Sequence, residues 1–165
     1  MEKKLAVEMQ RFSVTSSKPF EQVLAAIDAA VGHPDLGEFH RKLALTKTYT
    51  AIEKIVHEVI GASGLMEFIR FDLGQVLRME HGDRTPRSLR LVIGNPLIMK
   101  QMVEHVPDAG SYVPVTILID ERSDGVHLSY DTVASALAPY GSPEASKIAQ
   151  DLDAKVKALL KAAAN

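Results

Sequence analysis

Between Arg90 and Asp131 the chain reads as a strand that breaks at Gly94-Asn95-Pro96 directly into a methionine-bearing helix, and then as a hairpin turning at Asp124-Gly125. Each junction residue has a backbone role. Gly94 permits a tight turn or a close approach by a neighbour, Asn95 is a strong N-cap, and Pro96 suits the first helical position, where its missing N–H would have had no partner. Leu89 to Ile93 is a short apolar strand that reads as buried on both faces, and the helix stops before Pro107. Val115 to Glu121 and Val126 to Asp131 alternate apolar with polar residues around Asp124-Gly125, a strong short-range hairpin signal.

The flanking sequence supplies more elements of both kinds. Leu5 to Val14 reads as a first strand with Leu5, Val7 and Met9 on one face. After Ser16-Ser17-Lys18-Pro19 a helix runs to about Val31, its buried stripe made by Val23, Leu24, Ile27, Ala30 and Val31, with Gly32 as a left-handed stop. Leu36, Phe39, His40 and Leu43 suggest a short helix after Pro34. Thr50-Ala51-Ile52-Glu53 matches a capping box, and Ile52, Ile55, Val56 and Val59 continue as an apolar stripe to Gly61. Leu65 to Phe71 reads as a strand, after which Asp72 caps a short helix that turns Leu73, Val76 and Leu77 inward and closes at Gly82. Asp83 to Ser88 is a charged loop. Ser142-Pro143-Glu144 opens the last helix, with Ala145, Ile148, Ala149, Leu152, Val156, Leu159 and Leu160 as its stripe. Strands and helices come in runs without regular βαβ alternation, which predicts α+β, an antiparallel sheet covered on one face by helices.

Composition narrows what such a fold can do. The 165 residues suit one domain. A net charge of -2, with cations scattered among anions, gives no extended positive field, so nucleic acid is not an expected partner. There is no cysteine, which removes disulfides, thiolate catalysis, iron–sulfur clusters and cysteine zinc sites together, leaving six histidines as the nitrogen ligands. The N-terminal residues alternate instead of forming an apolar signal segment, and no run of about 18 apolar residues occurs, so no membrane association is expected and the cytoplasm is the default compartment.

Three groups of residues resemble a known family. They are Leu91-Val92-Ile93-Gly94-Asn95-Pro96 leading into its helix, the hairpin Val115-Thr116-Ile117-Leu118-Ile119-Asp120 with Val126-His127-Leu128-Ser129-Tyr130, and the tail from Ala134 through Pro139 into the final helix. Together they resemble the bacterial and archaeal family catalogued as domain of unknown function number 302, and Phe12 to Val31 looks like that family's start. The resemblance covers roughly two thirds of the chain. It departs at His33 to Gly64, which reads as an extra helical insertion. The resemblance implies a small α+β sandwich similar to the TATA-binding-protein class of folds, a homodimer, and no assigned activity.

Candidate chemistry is sparse. With Asp124-Gly125 at the hairpin tip, Arg122 faces His127 and Asp120 faces Ser129, placing Asp120, Arg122, His127, Ser129 and Asp131 on one side of the sheet. Ser, His and Asp together invite a hydrolase reading, but His127 and Ser129 are successive residues of one face and no Gly-x-Ser-x-Gly elbow is present. A solvated or dimer-facing polar face is the plainer reading. Met99, Met102 and His105 recur at intervals of three and would suit copper or haem, yet the same spacing describes core methionines. His33, His40, His57 and His81 show no ligand spacing, Glu53 and Glu58 face different sides of a helix, and no metal or cofactor is expected. Arg87 and Arg90 stand ready to supply positive charge near the Asn95 helix if their loop folds back.

Two functional readings follow. The preferred one is a dimeric binding or interaction domain holding a small apolar or anionic ligand. The alternative is an enzyme acting on a small metabolite, with His127 as acid or base beside Asp120, Arg122 or Ser129.

Overall fold

The structure, a computed structural model, describes residues 2, 4–82 and 85–165. Met1, Lys3 and two members of the expected charged loop, Asp83 and Arg84, lie outside the described residues. The elements run β1 (Arg11–Ser16), α1 (Phe20–Ala30), α2 (Leu36–Leu45), α3 (Tyr49–Val59), β2 (Met66–Asp72), α4 (Leu73–His81), β3 (Ser88–Gly94) and α5 (Pro96–His105). After a 3-10 turn at Pro107–Ser111 come β4 (Val115–Arg122), β5 (Gly125–Asp131), α6 (Val133–Leu137), a second 3-10 turn at Ala138–Tyr140 and α7 (Pro143–Ala164). The five strands form one antiparallel sheet ordered β1-β5-β4-β3-β2. This is the α+β arrangement that the sequence pattern predicts.

Period-two alternation decides which side of the sheet is dry. Leu91 and Ile93 of β3, Val115, Ile117 and Ile119 of β4, and Val126, Leu128 and Tyr130 of β5 are all buried on one face. Phe20, Val23 and Ile27 of α1, Met102 of α5 and the α7 stripe from Ala145 to Ala164 close over them in a single apolar cluster. Each such aliphatic side chain contributes about 1.5–3 kcal/mol on full burial. The opposite face carries Arg11, Ser13, Thr15, Thr116, Leu118, Asp120, Arg122, His127, Ser129 and Asp131, all exposed or half-exposed. A smaller cluster at one margin joins Phe39 of α2, Val56 of α3, Met66 and Phe68 of β2, and Leu97 of α5. Its helices α2 and α3 are those expected within residues 33–64.

That margin is tied by a crossing of two backbones. The Gly32 amide donates to the Leu65 carbonyl at 2.9 Å and the Gly32 carbonyl accepts from the Glu67 amide at 2.8 Å, while Gly61 also donates to Leu65 and Ser63 to Ala30. A Cβ on Gly32 would land on the carbonyl oxygen of Val59, and one on Gly61 on that of Ala30. Both glycines exist because the chains touch there. Gly32 is not among the glycines with positive φ, so it is no left-handed helix stop.

Several other expectations shift. Regular pairing of β1 begins at Arg11, later than the expected Leu5, and Leu5 and Met9 are exposed. The α3 cap is Thr48, whose side chain accepts from the Ala51 amide, two residues before the expected Thr50. Strand β3 alternates instead of being buried on both faces, since Arg90 is exposed. The hairpin turns at Ser123-Asp124, because Arg122 pairs with Gly125, so Asp120 faces His127 and Leu118 faces Ser129. Gly125 takes φ 137°, and a Cβ there would meet the Ser16 carbonyl at 2.5 Å, so the left-handed residue and the contact with β1 select the same position. Helix α4 departs most: Leu73, Val76 and Leu77 face out, Val76 at 72 % and Met79 at 85 % exposure. Arg78 instead turns back to Asp72 at 2.6 Å. Among the described residues no helix is long and apolar enough to cross a membrane.

Candidate functional site

Antiparallel pairing brings five strand ends to one end of the sheet, and a cleft of about 1040 Å3 opens there. Its floor is apolar, made by Phe20 and Leu24 of α1, Leu89 of β3 and Val126 of β5. Four cations from four separate segments stand around it: Lys18 before α1, Arg78 of α4, Arg87 before β3 and Arg122 at the end of β4. Glu21, Asp72 and Glu121 also line the cleft.

The guanidinium groups are held from behind. Arg87 donates from Nε and Nη2 to the two Glu121 carboxylate oxygens at 3.0 and 2.8 Å, and its backbone amide donates to the same carboxylate at 2.9 Å. Its guanidinium lies 4.5 Å above the Phe20 ring, and it also meets Glu21. The hydrogen bond from Arg87 holds the Glu121 carboxyl below the usual carboxylate range. Arg122 donates to Asp120 at 2.6 Å from Nε. Glu21 takes the remaining edge of the Arg87 guanidinium, whereas Arg122, fixed by Asp120 on one edge, keeps its other edge for a second acceptor. Among the described residues Lys18 makes no ion pair; its amide donates to Ser16 Oγ at 3.2 Å.

The residues singled out by sequence divide between the cleft and its outer rim. Arg122 lines the cleft, and Asp120 holds it from the open sheet face. His127 lies outside the cleft lining; its Nε2 is 2.8 Å from Asp124 Oδ1 and its Nδ1 3.5 Å from Thr15 Oγ1. Among the described residues no hydrogen bond joins His127 to Asp120, Arg122 or Ser129. Hydrogen bonding by His127 lowers the Asp124 carboxyl, and hydrogen bonding by Arg11 lowers that of Asp131. On α5, Met102 is buried in the core, Met99 is partly exposed and His105 is exposed, so the three do not converge on one ion. Arg87 reaches the cleft, at the opposite end of β3 from Asn95, whose own amide is committed to Leu97 and Gly64.

Sequence reasoning passed over Lys18, Glu21 and Phe20 as site residues, because nothing local marks a helix start as a cleft wall. It also passed over Asp28, His33 and Glu67, whose ligand atoms lie within 4.8 Å of one another. Arg70 takes the cation's place there, donating from Nη2 to Asp28 at 2.5 Å and to Glu67 at 2.7 Å. This group is an ion-pair clasp between the end of α1 and β2.

Comparison with known proteins agrees with the architecture. A solved structure described as uncharacterized conserved protein DUF302 from Bacillus stearothermophilus superposes with a TM-score of 0.64 at 12% identity, over 93% of this chain and 97% of that one. At that identity the likeness concerns the fold. No curated protein matches the chain. The sequence model of one family matches residues 41–163, from within α2 to the last turn of α7, leaving β1 and α1 to the structural comparison. With three quarters of its length matched, including residues 41–64 of the segment expected to be an insertion, the chain belongs to the family described as Domain of unknown function DUF302.

Proposed function

We infer that this protein is a non-catalytic binding domain that takes a small anionic molecule with an apolar body into the cleft at the hairpin end of the sheet. The observation that carries this reading is the placing of Lys18, Arg78, Arg87 and Arg122, from four separate segments, around a floor of Phe20, Leu24, Leu89 and Val126. The volume lies at the upper end of the range in which small-molecule sites occur. A carboxylate or phosphate adds to the Arg122 edge that Asp120 already orients and to the Lys18 ammonium, so little ordering cost falls on binding. The acid–base reading of His127 is the weaker one, because its ring nitrogen is taken by Asp124 at the turn and the ring stands outside the cleft lining.

Calorimetric titration with benzoate and with inorganic phosphate tests the cleft. Benzoate is expected to bind saturably, and Lys18→Ala and Arg122→Ala are each expected to weaken it about tenfold, near 1.4 kcal/mol. Wild-type protein that binds neither anion, or variants that bind as the wild type does, would refute the reading.

The binding domain works as a homodimer in this proposal. Ile69 and Phe71 on edge strand β2, with Leu73, Val76, Leu77 and Met79 on α4, form an exposed apolar strip. A patch of this kind on a short edge strand and helix marks an association site. Association of this strip with its own copy about a two-fold axis is self-complementary, which commits it to a second copy. Light scattering on the eluting protein is expected to give twice the chain mass, and Val76→Lys the single mass. A wild-type monomer at tens of micromolar would reject the dimer.

A further inference from the structure

A second cavity, of about 300 Å3, sits at the opposite end of the sheet from the cleft. Phe68 of β2, Ile98 and Met99 of α5, Val113 and Pro114 before β4, and Leu152 of α7 form its walls. Among the described residues none that lines it is ionisable. Its one polar side chain, Asn95, is already satisfied at both ends: Oδ1 accepts from the Leu97 amide at 2.8 Å, and Nδ2 donates to the Gly64 carbonyl at 2.9 Å. Charge and hydrogen bonding therefore give an ion nothing to bind here.

We propose that this cavity is a binding site for a neutral, flat or short-chain apolar molecule, separate from the anion cleft. Three features argue for an occupant of that chemistry. The size is the first: a dry apolar cavity of about 150 Å3 takes one benzene, so a cavity of this volume takes a two-ring body or a chain of comparable bulk. The second is the bare wall at Gly94. A Cβ on Gly94 would meet Pro114 Cβ at 3.1 Å and Phe68 Cε2 at 3.4 Å, so the glycine leaves open a space between these two walls that any larger residue would crowd. The third is access. Met99, 37 % exposed, belongs to both the wall and the surface, and an unbranched thioether side chain swings aside and repacks against apolar bodies of different shape. The methionine that sequence spacing offered as a metal ligand is thereby assigned a different task, that of an adaptable lip.

The probe is 2-naphthol, uncharged at neutral pH, read by the methyl resonance of Met99 in protein carrying labelled methionine. Saturable binding that shifts this resonance is expected. Met99→Trp, which fills the mouth, is expected to weaken binding about tenfold or more, whereas Met99→Ala keeps it within about threefold. The charged analogue 2-naphthoate, read at the same resonance, is expected to bind at least about tenfold more weakly. Absence of saturation at Met99, unchanged affinity in Met99→Trp, or equal affinity for naphthol and naphthoate would each overturn the proposal. Benzoate binding in the cleft is left intact by both Met99 variants, so the two sites fail or stand separately.

Discussion

Asp153→Ala is expected to lower the unfolding free energy by about 3–5 kcal/mol, read as a fall in the urea midpoint at unchanged slope. Asp153 lies on α7 yet serves the start of α6. Its Oδ1 accepts from the Tyr130 hydroxyl at 2.5 Å and from the Val133 amide at 2.9 Å, and its Oδ2 from the Ala134 amide at 3.1 Å. Thr132, the N-cap of α6, makes no side-chain cap of its own. The carboxylate is 4 % exposed and Tyr130 1 %, so alanine would strand two amides and a phenol where water does not reach. Each buried donor left unpaired costs about 1–3 kcal/mol, while replacing the phenol alone removes a single bond. Tyr130→Phe is therefore expected to cost about 1–2 kcal/mol, and a loss equal to that of Asp153→Ala would show that the amide caps contribute nothing. Burial, and then the bond to Asp153, raise the Tyr130 hydroxyl well above its ordinary range, which keeps it a donor to Asp153 at neutral pH.

Gly32→Ala is expected to cost on the order of 4 kcal/mol or to prevent folding, judged from the same urea curves and from loss of the near-ultraviolet dichroism of packed aromatics. The added methyl meets the carbonyl of Val59, and backbone cannot rotate away as a side-chain tip can. Relief requires parting the 30–32 segment from the loop before β2, which breaks the bonds that Gly32 makes to Leu65 and Glu67. Gly37→Ala supplies the control. Its Cβ would meet only Asp35 Oδ1, at 3.2 Å, in the first turn of α2, so a change within about 1 kcal/mol is expected. Similar losses for the two variants would mean that the two backbones do not meet closely at Gly32.

What the sequence made legible is local. The Asn95 cap and Pro96 start stand as expected, since both effects are set by residues one or two positions apart. The α7 stripe is buried where a 3.6-residue period places it, with Ile148 half-buried at its edge. What escaped is whatever depends on chain that returns from far away. Gly32 reads as a helix stop when only α1 is in view, and its real constraint comes from Val59 and Leu65. Leu73, Val76 and Leu77 have the spacing of a buried stripe, but α4 follows an edge strand and has no partner layer on that side. The hairpin was found and its register mis-set by two residues, because Asp124-Gly125 marks a turn equally well when Gly125 is the first residue of the returning strand. The cleft was the least accessible, since Lys18, Arg78, Arg87 and Arg122 are scattered over more than a hundred positions and only the strand order gathers them.

That strand order has a consequence for biosynthesis. Arg11 pairs with Asp131, 120 residues away, so β1 leaves the ribosome well before its neighbour and finds it only after the intervening chain has followed. Until then β1 has no ladder to join, whereas the β4–β5 hairpin closes within a few residues. Non-local closure of this kind slows folding through the entropy of the intervening loop. The molecule is thus expected to assemble from its carboxyl-terminal half, with the N-terminal strand annealed last onto the exposed margin of β5.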